Sequence, residues 1–133
     1  MTPLRFAIGT NDGTLLNNDH VGSAERYRVY RVTDEEVVFE EDRRNVAIEE
    51  DETLAHGDPK KAAAMGSLLK DLDGIVGKRF GPNVKRMLHR FVCVRTRVDT
   101  VAEAVALLEA HKDELSNALD AGQERSLLVL QPD

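Results

Sequence analysis

Apolar runs separated by turn-forming residues predict three strands in the first third of the chain. The run LRFAIGT begins at Leu4 and stops at Asn11, Asp12 and Gly13, residue types that favour turns. The segments ERYRVYRV and EEVVFEE then place β-branched and aromatic residues over strand-like lengths. We therefore expect one buried strand followed by two antiparallel strands.

The pattern lapses between residues 43 and 57 and then resumes at helical spacing. This interval contains the acidic run 49–52 and no sustained periodicity, which predicts an exposed loop. Asp58 and Pro59 suit the start of a helix, because an aspartate accepts free amide hydrogens and a proline fits the first turn. The predicted inward positions of this first helix are Ala62, Met65, Leu68, Leu69 and Leu72.

Two further strands alternate with helices in the second half of the chain. DGIVG is a short apolar run that ends at Gly77, and FVCVRT is another. Between them GPNVKRMLHRF predicts a second helix with Pro82 in its first turn. Thr100 and Glu103 match a capping box that opens a third helix, which either continues or breaks near Lys112.

This order of elements predicts an α/β fold built on a mixed five-stranded sheet. Three antiparallel strands precede βα units, and helices pack against the sheet. With 133 residues and 41% hydrophobic content, the chain is long enough for one compact core. We expect a single domain over residues 1–133. Within 112–133 we expect an extra helix or strand, where SLLVLQ suits an added edge strand or a contact between two copies.

The net charge, the cysteine count and the lengths of the apolar runs argue against several classes of function. The formal net charge of -6 argues against general nucleic-acid binding, because the chain as a whole repels a polyanion. A single cysteine, Cys93, allows neither an internal disulfide nor a cluster held by several thiolates, and it suits a reducing compartment. The N-terminus has no signal-peptide core, and no run of about 18 apolar residues occurs. We expect a cytoplasmic protein that does not span a membrane.

Three turns are predicted to meet at one end of the sheet, where the carboxyl ends of parallel strands open a crevice. They follow strand one, strand four and strand five, the second being GKRFGPN. In that turn Gly77 and Gly81 let the backbone approach a ligand, and Lys78 and Arg79 add positive charge. This composition indicates an anion site, although the same glycines also suit a plain strand-to-helix turn.

His20, in the turn after strand one, is the candidate ligand at this crevice. A neutral imidazole there is able to bind a metal or to donate a hydrogen bond to a bound anion. The alternative is a histidine that only stabilises the hairpin. Cys93 is expected to be a core residue, because it lies inside a central strand.

Several of these segments together resemble the dinitrogenase iron-molybdenum cofactor biosynthesis proteins. The similar segments are TNDG, DHVGSAERYRVYRV and DLDGIVGKRFGPNVKRML, and the resemblance runs roughly over residues 4–111. It implies a ribonuclease H-like fold in a domain that binds, stores or delivers an iron-molybdenum or related iron-sulfur cofactor. Such a domain does not turn over a substrate. Its partners would be metallocluster donor and acceptor proteins, and a homodimer is compatible with it.

The resemblance also implies a set of cofactor-binding residues. His20 takes the place of the family's histidine and is the implied metal ligand. Val21 stands where the family commonly has an aromatic residue, and near the crevice the chain supplies His56 but no cysteine. The implied cofactor-binding positions are His20, Asn11, Gly77, Lys78, Arg79, Gly81 and Asn83.

Two other functions stay open from the sequence. One is a non-catalytic interaction or regulatory module that keeps the fold and has lost the cofactor, which the missing cysteines favour. The other is a metal-dependent nuclease, which needs carboxylates that project from strand one toward paired metal ions. RFAIG has none, while Asp12 lies in the following turn and Asp71 and Asp73 flank the opposite end of strand four. The nuclease is therefore the weaker alternative.

Overall fold

The protein is described by a computed structural model that covers residues 1–45 and 59–132. Its strands form one sheet in the order β3-β2-β1-β4-β5-β6. Neighbouring strands are antiparallel from β3 to β1 and parallel from β1 to β6. The strands are β1 (Leu4–Thr10), β2 (Arg26–Val32), β3 (Val37–Arg44), β4 (Gly74–Gly77), β5 (Val92–Arg95) and β6 (Leu128–Val129).

Within residues 1–45 and 59–132 the sheet has six strands, so the predicted count of five was wrong. The sixth strand comes from SLLVLQ and pairs in parallel with β5, where Leu128 lies opposite Val94. It spans two residues, which is too short for a periodicity argument to separate a strand from a loop. The mixed α/β architecture itself is confirmed, with antiparallel strands first and parallel strands after them.

In the described part of the chain, four α-helices cover the sheet. They are α1 (Pro59–Leu68), α2 (Val84–Leu88), α3 (Val101–Ala110) and α4 (Lys112–Asp120). The capping box is confirmed, because the Thr100 hydroxyl accepts from the Glu103 amide at 3.0 Å and Glu103 accepts from the Thr100 amide at 3.2 Å. Of the two alternatives for the third helix, the broken one is observed, with His111 between α3 and α4.

The second helix is shorter than the sequence indicated. A 3-10 turn over Gly81–Asn83 precedes the five residues of α2, so the prediction of one helix over this whole segment was wrong. Gly81 has a positive φ of 65°, which a regular helix does not accept. Met87 is buried, as the spacing predicted, and Val84 and Leu88 pack against the same core.

The sheet separates two hydrophobic cores, as alternation along β1 requires. Phe6 and Ile8 face one core, which α3 and α4 close, whereas Ala7 faces the other, which α1 and α2 close. Both cores consist mainly of Leu, Val, Ile and Ala with a few aromatic residues. The crevice side chains described below lie at the edge of the second core.

Hydrogen bonds from Arg125 connect the segment after residue 111 to the rest of the protein. Its guanidinium donates to the carbonyls of Ala118 and Leu119 in α4 and to that of Leu88 in α2, at 3.0 to 3.2 Å. These carbonyls lie in the last turns of their helices, where regular amide donors run out. Arg125 therefore holds β6 at the open side of β5.

Some predictions concern parts of the chain outside the described residues. These are the acidic run 49–52, His56, the Asp58 helix start and the side chain of Ala62. Within residues 1–45 and 59–132, no helix combines the length and the apolar character that crossing a bilayer requires.

Candidate functional site

The three turns that the sequence placed together do meet at the carboxyl ends of the parallel strands. The Leu16 amide donates to the Asp99 carbonyl at 2.9 Å, which joins the turn after β1 to the turn after β5. Lys78, in the turn after β4, donates from Nζ to Asn18 at 3.1 Å and to the Asp99 carboxylate at 2.7 Å. A single ammonium group thus bridges all three turns.

Val21 fixes how the first turn sits on the sheet. A Cβ at Gly9 or at Gly77 would lie 2.9 or 2.7 Å from the Val21 side chain, so both glycines leave the space that Val21 fills. Val21 is fully buried, its amide donates to the Arg79 carbonyl at 2.7 Å, and its carbonyl accepts from the Tyr27 hydroxyl at 2.8 Å. Val21, the residue next to His20, therefore acts as a structural wedge, which here means a buried side chain that fills the space above Gly9 and Gly77.

This wedge holds His20 against the turn after β4. The His20 carbonyl accepts from the Asn17 side-chain amide at 3.0 Å and from the Ser23 amide at 2.8 Å, which fixes its backbone. Its imidazole packs on Gly81, where an added Cβ would lie only 2.6 Å from Nδ1. Gly81 therefore serves both the positive φ of its turn and the close approach of the imidazole.

A cavity of about 310 Å³ opens beside this turn, on the side of β5 and β6. Three of its walls are cationic side chains, from Lys78, Arg79 and Arg95, and the others are apolar. Lys78 is paired with Asp99, whereas neither arginine forms an ion pair with any carboxylate in the part of the chain that the structure describes. The apolar walls are Phe80, Val84 and Leu127.

The structure places the predicted site residues at several different positions. Lys78, Arg79 and Gly81 line the cavity, and His20 lies against Gly81 without lining it. Gly77 lies beneath Val21, and Asn83 is buried with its side-chain oxygen accepting from Arg86 at 3.2 Å.

Asn11 lies apart from this group in its described contacts. Its side-chain oxygen accepts from the Glu25 amide at 3.0 Å and so closes the turn between β1 and β2. Its position thus supports the loop that carries His20, and no described contact brings it to the cavity.

Arg95 is a cavity residue that the sequence analysis did not select. It ends β5 and lies level with Gly77 of β4 in the parallel register. The available signal was a charged residue at the last position of a buried strand, at the sheet end where ligands bind. The segment FVCVRT by itself indicates only a strand, and the contact of Arg95 with the cavity depends on how β5 pairs with β4.

Other groups with reactive chemistry lie elsewhere. Cys93 is fully buried, and burial raises the pKa of its thiol to about 12, in keeping with the expected core role. Backbone amides of Leu15 and Thr14 donate to Asp12 and hold the pKa of its carboxyl below the usual value. Asp71 lies before β4, at the opposite end of the sheet from Asp12. These carboxylates do not converge on one site.

The donor set near His20 is small. Within the described residues, no group of three or more histidine, cysteine, aspartate or glutamate side chains lies close enough to hold a metal ion. A metal-containing ligand at the crevice would therefore receive few protein donors from these residues and would be held largely through its charge.

Comparison with sequence models of protein families identifies a family that this chain matches. The family described as dinitrogenase iron-molybdenum cofactor has a sequence model that matches residues 2–111. No curated protein matches the chain. The matched residues include β1 to β5, the three turns of the crevice and α3, whereas α4 and β6 lie after them.

Proposed function

We propose, from the premise that this chain belongs to the dinitrogenase iron-molybdenum cofactor family, that it binds and delivers an anionic metal cluster at the crevice. The cluster is an iron-molybdenum or related iron-sulfur cofactor, and it is cargo rather than a catalytic group. Family membership connects the chain to the handling of this cofactor. Binding, storage and transfer by this chain are the proposal.

The observation that carries the proposal is the contact of His20 with Gly81 beside a cationic cavity. In a chain of net charge -6, Lys78, Arg79 and Arg95 gather at one strand end. An anionic ligand there gains charge-assisted hydrogen bonds, and an imidazole nitrogen suits iron or molybdenum as a single additional ligand. The residues present therefore fit an anionic cluster.

A small number of protein ligands to the metal suits transfer of the cluster to another protein. A cluster held by one imidazole and by charge dissociates more readily than one held by several thiolates, because fewer coordinate bonds break on release. Lys78 and the arginines would orient the anion, and Phe80 and Leu127 would shield part of it from water. No bond of a substrate changes in this account, so we propose a binding protein and not an enzyme.

The proposal extends to partners and to fold classification. Delivery requires a cluster donor and a cluster acceptor protein, and we infer both from the proposed transfer. We also infer a ribonuclease H-like fold, which the strand order and the antiparallel β2 support.

The test is anaerobic loading of the purified chain with an isolated iron-molybdenum cluster, followed by gel filtration and metal analysis. We expect stoichiometric metal on the wild type and less than about a fifth of it on His20→Ala, since the account gives the cluster one imidazole. His89→Ala removes an exposed imidazole at the end of α2 and is the control. Equal metal on wild type and His20→Ala would contradict a ligand role for His20.

A second candidate is a non-catalytic interaction module that keeps this fold without a cofactor. Val129, on the two-residue edge strand β6, is 48% exposed, which favours pairing of that edge with a second copy. A chain that takes up no metal and forms a dimer, which Val129→Lys dissociates in sedimentation experiments, would support this candidate over cluster binding.

A further inference from the structure

The cavity next to His20 has features that a cluster ligand alone does not require. Arg95 lies level with Gly77, and Lys78 and Arg79 follow Gly77 directly, so three cations reach one end of β4 and β5. His20 does not line this cavity. The cationic pocket and the imidazole are therefore neighbouring and separable parts of the crevice.

Among the described residues, two of the three cations have no carboxylate that compensates their charge. Asp99 neutralises Lys78 at 2.7 Å, whereas Arg79 and Arg95 pair with no carboxylate of the described chain. Like charges at one cavity repel each other, and an anion bound between them removes this cost. A planar guanidinium presents its N–H groups as a fork that matches two oxygens of an oxyanion.

The size of the cavity and its walls limit the ligand. A volume of about 310 Å³ lies at the lower end of the range for small-molecule sites. Phe80 is almost fully buried and forms an apolar wall with Leu127, whereas the side chains of Arg79 and Arg95 are exposed. Leu127 lies outside the matched residues 2–111, so the C-terminal segment contributes one wall.

We propose that this cavity is a binding site for a small tetrahedral dianion of the molybdate and sulfate class. Arg79 and Arg95 donate to its oxygens, and two unpaired cations match its two negative charges. The inference extends the proposed function, because it gives the same crevice an anion that binds without the cluster and without His20. His20 is the residue that distinguishes the two ligands, because the proposed cluster site includes it and the dianion site does not.

The experiment is isothermal titration of the 133-residue chain with sodium molybdate and, separately, with sodium sulfate at low ionic strength. We expect saturable binding of one anion per chain to the wild type, weakened about tenfold or more by Arg95→Ala, because one charge-assisted contact is lost. Arg95→Lys should recover part of the affinity, since it keeps the charge and loses the fork. Added sodium chloride should weaken binding through screening.

The matched control is Arg31→Ala. Arg31 is an exposed arginine on β2 that lies level with Arg5, at the other end of the sheet, and its loss changes the net charge equally. The affinity of Arg31→Ala for molybdate should stay within about twofold of the wild type when both are titrated in about 0.1 M salt, because the Debye length there is about 10 Å and charges at the far end of the sheet are largely screened. An equal loss in both variants would overturn the site in favour of diffuse attraction.

Two further outcomes separate this inference from the proposed function. His20→Ala should bind molybdate as the wild type does, and loss of binding in that variant would overturn the claim of separate sites. Absence of saturable binding to the wild type would overturn the inference, while cluster loading would still test the proposed function. Thermal unfolding of each variant shows whether an effect on affinity reflects folding.

Discussion

Two groups of arginines at different ends of the sheet differ in their charge partners. Near the amino ends of β1 and β4, Arg43 donates to both Asp71 oxygens at 2.6 and 2.7 Å, and Arg5 donates to Asp71 at 2.9 Å and to Glu40 at 3.0 Å. At the carboxyl ends, Arg79 and Arg95 line a cavity and pair with no described carboxylate. We call the first group the paired cluster and the second the open pair.

The two groups of arginines differ in whether a carboxylate balances their charge, and this difference indicates their roles. In the paired cluster the neighbouring carboxylates raise the pKa of both arginines and lower that of Asp71, so the charged forms stabilise the folded chain. The two arginines of the open pair have no carboxylate partner among the described residues, so their positive charge is available to a ligand. Charge that is already neutralised supports structure, and charge left open supports binding.

The largest effect on stability should come from the paired cluster. Arg43→Ala removes the bidentate contact with Asp71 and the bond to the Leu68 carbonyl at 3.0 Å, so we expect a loss of about 2 kcal/mol in the free energy of unfolding. Arg95→Ala should change it by less than about 0.5 kcal/mol. Urea unfolding of both variants measures the two values. Equal losses would contradict the claim that the paired cluster stabilises the fold and the open pair does not.

A smaller loss of stability, together with loss of binding, should come from Gly81→Ala. The positive φ of 65° costs a substituted alanine about 1 to 2 kcal/mol, and its Cβ would displace the His20 imidazole. Gly122→Ala is a matched control, because its φ is 58° and nothing lies within 4 Å of the added Cβ. We expect reduced cluster retention in the first variant only, as measured by bound metal. Retention by both would show that the imidazole position is unimportant.

The smallest effect concerns acid. Hydrogen bonds from Arg43, and then from Arg5, hold the pKa of the Asp71 carboxyl well below its usual value of 3.8. A carboxyl whose folded pKa is depressed contributes stability that is present above its unfolded pKa and is lost as pH falls through the folded value. The Asp71 side chain is 47% exposed, so solvent screens this contribution.

We therefore expect the paired cluster to lose about 1 kcal/mol of stabilisation as pH falls from about 4 to about 2. Urea unfolding at several pH values measures it, with Asp71→Asn as the reference that lacks the titrating group. An identical pH slope in wild type and Asp71→Asn would contradict the assigned contribution. Molybdate binding to the open pair should not depend on Asp71.

Much of this architecture follows from local sequence. The apolar run of β1 and the capping box at Thr100 carry their signals within a few residues, and structure confirms both. The meeting of three turns followed from the rule for parallel strand ends, because connections of this kind leave a sheet on one side. The structure agrees through the bridge that Lys78 makes.

Other features depend on partners distant in sequence. Val21 acts as a wedge only because Gly9 and Gly77, from two strands, come together beneath it. Arg95 joins the cavity through its register with β4, and β6 forms only because β5 offers an open edge. No periodicity in the chain encodes these pairings, so periodicity alone does not bring Arg95 together with Arg79, which the glycine-rich turn already indicated.

The most direct measurement of the central claim is bound metal per chain after anaerobic cluster loading and gel filtration. The wild type, the double variant Arg79→Ala/Arg95→Ala and Arg31→Ala would be loaded side by side. The account predicts stoichiometric metal on the wild type and on Arg31→Ala, with a loss of more than about tenfold in the double variant. Equal metal on all three, or none on the wild type, would contradict a crevice that holds its ligand through open charge.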